Sequence, residues 1–163
     1  MKRLGIYVLE IPRISHSEAH HLQELLTDTG VELVFGSVTD FDLFPCPWSE
    51  FNLSESEWTI GFSDVGEILD GKRNPCLDYE QLARVWKRMN RVPATLEQVL
   101  RMKAQQPDLE IWNDAIIVFG TRLEDEGMRK EPTYLKLCDS RVMTAAHYIQ
   151  MCDSNKRVAY IQT

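Results

Sequence analysis

Asp40, Asp42, Trp48, Glu50, Glu55, Glu57, Trp58 and Asp64 place carboxylates and large aromatic rings in one stretch of chain. Residues 39 to 71 hold eight acidic side chains and six aromatic ones, with no Lys or Arg. Carboxylates at that density can imitate the charge of a nucleic acid or fill a basic groove. The interleaved rings supply anchor area that charge alone does not. Residues 72 to 105 reverse the sign, with eight Lys or Arg against three acids. The expectation is a non-enzymatic acidic interaction protein: an inhibitor or immunity-type antagonist whose partner is a basic, nucleic-acid-binding protein. The bland counterpart is that Phe41, Phe44 and Trp58 fill the core while the acids form a solvated face. Arg84, Lys87, Arg88 and Arg91 could also neutralise the stretch internally.

Other residues could do chemistry of a different kind. His16, His20 and Glu24 fall at i, i+4 and i+8, a spacing that can bring two imidazoles and a carboxylate to one metal ion. That face lies opposite the leucines of the same helix, so a solvated polar face is the expectation and no metal is assigned. Asp40-Phe41-Asp42 at a strand end could hold Mg²⁺ against phosphate, and acidic loops produce the same pair by chance. Asp139, Ser140 and Arg141 follow Cys138 at an expected strand-to-helix junction. Free N–H groups and a guanidinium there could bind an anion, and no Gly-rich loop accompanies them. Those strand ends support the alternative of a small enzyme that binds a phosphorylated or nucleotide-like ligand. No nucleophile elbow or Cys/His signature is present, so no catalytic residue and no cofactor are assigned.

A third alternative is a helix-turn-helix-like nucleic-acid-binding module at 81 to 103, with Arg84, Lys87, Arg88, Arg91, Arg101 and Lys103 toward phosphate. The spacing from Ala83 to Thr95 exceeds the compact motif by about three residues. A net charge of −7 also argues against general affinity for nucleic acid or an anionic membrane. The four cysteines, Cys46, Cys76, Cys138 and Cys152, fit neither CxxC nor a disulfide framework. The opening apolar run is broken by Glu10 and Pro12, too short for a signal peptide or membrane helix. A cytoplasmic location with reduced thiols is the default expectation.

The elements that must position these groups follow from length and periodicity. At 163 residues the expectation is one domain spanning 1–163. A chain of this size buries about 70% of its unfolded surface without staples. Residues 3 to 11 and 31 to 38 read as strands flanking a helix at 16 to 28. Ser15 and Glu18 form its capping-box pattern, and Gly30 suits its end. Residues 39 to 76 read as an irregular excursion in which 57 to 62 could form a short strand. Asp78 with Gln81 resembles a second capping box, opening a basic helical pair at 78 to 105. Leu82, Val85, Trp86 and Met89 form the first stripe, and Leu96, Val99 and Leu100 the second. Asn90 is a stop, and Pro93 fits an early position of the second helix. Residues 112 to 121 read as a buried strand. YLKLCDSRV and YIQMCDSNKRV nearly repeat and would suit a meander of strands. The spacing of Val142, Ala145, Ala146, Ile149 and Cys152 instead predicts a helix between strands. The fold class expected is mixed α/β, or α+β, with a five- or six-stranded sheet, about four helices and β-α-β segments at both ends.

Overall fold

The computed structural model describes residues 7–10, 19–33, 43–45, 57–69, 76–123, 133–145, 148–150 and 156–162. In chain order the elements are β1 (Tyr7–Glu10), α1 (Ala19–Thr29), β2 (Glu32–Leu33), β3 (Leu43–Pro45), β4 (Glu57–Asp64), α2 (Val65–Leu69), β5 (Cys76–Asp78) and α3 (Tyr79–Arg88). They continue with β6 (Arg91–Pro93), α4 (Leu96–Gln105), a 3-10 turn at Glu110–Asn113, β7 (Ile116–Leu123), β8 (Thr133–Cys138), β9 (Arg141–Ala145), β10 (Tyr148–Gln150) and β11 (Arg157–Gln162). The class is mixed α/β.

Seven strands run side by side in the order β1-β4-β11-β7-β8-β9-β2. The β11–β7 and β9–β2 pairs are parallel and the others antiparallel. Two short strands join beside this path, β3 on β7 and β6 on β11, while β5 and β10 pair separately. The β1-α1-β2 order expected from sequence is present, yet β1 and β2 lie at opposite edges of the sheet, so they are not neighbouring parallel strands joined by α1.

Side chains alternate along the central strands, and the alternation fixes two apolar layers. Ile116 and Val118 of β7, with Ala159 and Ile161 of β11, pack with Leu26 of α1 and with Leu96, Val99, Leu100 and Met102 of α4. Ile117, Phe119, Val158 and Tyr160 point the other way, onto Tyr79, Leu82, Ala83 and Trp86 of α3 and Val65 of α2. The sheet is therefore covered on one face by α1 and α4 and on the other by α3.

β6 is what allows the chain to change faces. β11 and β7 pair only at Arg157–Ile116 and Val158–Ile117. Beyond that point β6 enters between them. Ala94 N donates to Ala159 O at 3.1 Å, and Gly120 N donates to Ala94 O at 3.1 Å. A β-carbon on Gly120 would stand 2.4 Å from Ala94 O, so glycine is required for that approach. Tyr160 sits opposite Gly61 in the neighbouring strand, and its ring occupies the space a Gly61 side chain would need.

Helix ends follow local chemistry where the sequence marks it. Asp78 Oδ1 accepts from Glu80 N at 2.7 Å and Gln81 N at 3.1 Å, while Asp78 N donates back to Gln81 Oε1 at 3.4 Å. That is the expected capping box. Gly30, at φ 68°, donates to Thr27 O, and Val31 donates to Leu26 O, which completes a Schellman end for α1. Asn90, at φ 54°, ends α3 as expected. The second helix differs: Thr95 is its cap, with Gln98 returning the bond, and Pro93 belongs to β6 instead.

The short strand expected at 57 to 62 is present as β4, which is eight residues long and lies inside the sheet. Two expectations are corrected. The buried stripe of α3 is Tyr79, Leu82, Ala83 and Trp86, and Val85 and Met89 lie outside it. The C-terminal β-α-β is absent at residues 141–145 and 148–150, which are strands, and the two near-repeats do not form one meander either, since β8 pairs β7 and β9 whereas β10 pairs β5 in a separate sheet. The helix is absent because of the turn. Cys138 pairs with Arg141 across a two-residue connection, with Asp139 at φ 50° and Ser140 at φ 60°. That type I′ geometry folds the chain back on itself before a helix can start. Val142 is buried as the helical stripe required, but in a strand.

Candidate functional site

The acidic-aromatic residues divide in the structure. Asp40, Asp42, Trp48, Glu50 and Glu55 lie outside the described residues. Glu57 and Trp58 open β4, where they pair with Glu10 and Leu9 of β1. Asp64, at the end of β4, is 5% exposed. Its Oδ2 accepts from Arg157 Nη1 at 2.7 Å. Arg157 Nε lies 3.5 Å from Asp114 Oδ2, too poorly placed for a hydrogen bond, so one guanidinium stands between two carboxylates. This cluster ties the end of β4 to the start of β11 and the approach to β7. An Asp64 so engaged serves the sheet, and a docked partner could not reach it without opening that end. Glu67 of α2 remains exposed.

The basic segment divides as well. Arg84 Nη2 holds Glu80 Oε1 at 2.7 Å on its own helix, with both side chains largely exposed. Lys87 and Arg88 are exposed in the last turn of α3, where cations suit the helix dipole. Arg91 turns inward: its guanidinium carbon lies 4.4 Å from the Tyr160 ring centre, and its Nε donates to Gln162 Oε1 at 3.2 Å. Gln162 Nε2 in turn donates to Met89 O and Asn90 O and so closes the end of α3. Beneath that helix Tyr160, Trp86, Phe119, Tyr79 and Tyr134 form a run of ring contacts with successive centroids 4.8 to 5.4 Å apart. Val85 and Met89, 46% and 48% exposed, stand one turn apart at the border of the buried stripe of α3. Neither the exposed pair nor the Arg157 cluster was visible from spacing. The partners of Arg157 lie 93 and 43 residues away, and the apolar count of α3 alone does not say which stripe faces in.

On the other face, Arg101 pairs with Glu97 at 3.4 Å. Lys103 Nζ lies 5.0 Å from the Trp112 ring centre, and burial pushes its pKa below the usual lysine value. α3 and α4 are therefore separated by the sheet with β6 between them, and 78 to 105 forms neither a helix-turn-helix nor a helical hairpin on one face.

The alternative ligand residues lose their setting. Asp139, Ser140 and Arg141 are exposed on the β8–β9 turn, without the helix N-terminus that would have offered N–H groups to an anion. Ser140 O instead accepts from Glu32 N at 3.0 Å and so ties β2 to the turn. Cys138 is a half-buried free thiol. His16 lies outside the described residues, as do Asp40 and Asp42 for the Mg²⁺ reading. Among the described residues no three His, Cys, Asp or Glu side chains gather as metal ligands, and no helix is long and apolar enough to cross a membrane. No protein-family model, no curated protein and no solved structure matches the chain.

Proposed function

We propose that the protein is a non-enzymatic interaction protein whose acidic-aromatic stretch receives a basic protein partner. The observation that carries this reading concerns the four cations able to cancel the stretch from within. Arg84 is held by Glu80 and Arg91 by Tyr160 and Gln162, while Lys87 and Arg88 point to solvent. Asp64, the stretch's one acid with a described ion pair, draws on Arg157 instead. At the described residues, then, acid and base segments do not consume each other. A cytoplasmic setting and an inhibitor or antagonist role belong to the same proposal.

The test compares the wild-type chain with Glu50→Lys/Glu55→Lys as bait for proteins from the native host. Wild type should enrich basic proteins that salt releases, since exposed charge pairs are screened within about 8 Å at physiological ionic strength. The reversed bait should lose them, and an identified partner, purified, should bind it at least about tenfold more weakly. Equal capture by both baits would remove the stretch from the interaction.

A further inference from the structure

We draw no further inference here: the strongest candidate, the surface patch made by the exposed pair Val85 and Met89 at the border of the buried stripe of α3, is an unpartnered apolar patch, and nothing in the structure shows what covers it.

Discussion

Replacing Asp64 with Asn separates a structural role for this carboxylate from a place on the docking surface. The Asp64–Arg157 contact is 2.7 Å long, and the two side chains are 6% and 19% exposed. Asn keeps the shape and removes the charge, leaving Arg157 partly buried with only Asp114, 3.5 Å from its Nε. Breaking one side of a buried pair costs about 3–5 kcal/mol, because the remaining charge stays desolvated. Asp114 offsets part of that loss, which puts the expected cost near the lower end, about 2–3 kcal/mol. For a chain of 163 residues each kcal/mol moves Tm by about 2–4 °C, so Asp64→Asn should melt about 5–10 °C below wild type. Asp114→Asn should cost less than about 1 kcal/mol, since that side chain is 40% exposed. Thermal and urea unfolding followed by circular dichroism measure both. A cycle with Arg157→Gln should show a double variant less destabilised than the sum of the singles. An Asp64→Asn protein that melts with wild type, or strictly additive substitutions, would refute the internal role and return Asp64 to the surface set.

Four further outcomes follow from single observations. Ser140→Gly should stabilise the protein by about 1 kcal/mol in urea unfolding, because a residue held at φ 60° in a two-residue hairpin turn suits glycine; a loss of stability would mean that the serine side chain contributes more than its strain costs. Gly120→Ala should destabilise by about 1–3 kcal/mol, since its methyl group meets the carbonyl of Ala94, and exchange protection of the Gly120 amide should fall with it. Trp86→Ala should cost about 3–5 kcal/mol by removing the ring between Tyr160 and Phe119, read as loss of the cooperative unfolding transition at mild denaturant. Lys103 carries a pKa lowered by burial, so in the window below 10.5 the unfolded chain binds more protons than the folded one and stability should rise with pH; Lys103→Met should abolish that slope in urea midpoints taken across the window, and an unchanged slope would assign it to another group.

Legibility from sequence followed the range of the interaction. The α3 start was readable because Asp78 and Gln81 lie three residues apart and satisfy each other. Gly30 and Asn90 were readable because positive φ selects few residue types. The same logic failed at Asp139-Ser140, where two non-glycine residues take positive φ and give little warning of a hairpin. Without the turn, Val142 and its followers matched a helical stripe as well as a strand, and short apolar runs carry no further information. The α3 stripe was misjudged by one position because Tyr79 and Ala83 enter the core while Val85 and Met89 do not. Which stripe faces inward depends on Phe119, Tyr134 and Tyr160, strands away in sequence. The Asp64–Arg157 pair, 93 residues apart, had no local signature at all.

The passage of β6 through the sheet also decides what the charge reversal after residue 72 can mean. Read along the chain, 84 to 103 is one basic run, and one basic run suggests one basic surface. In the fold the run is cut in two between Arg91 and Arg101. Arg84, Lys87 and Arg88 are displayed beyond one face of the sheet, whereas Arg101 and Lys103 lie on the other, against Glu97 and Trp112. Arg91, at the crossing, is held by Tyr160 and Gln162. No rigid duplex could touch both halves with the sheet between them, so the 84 to 103 run does not form one cationic surface.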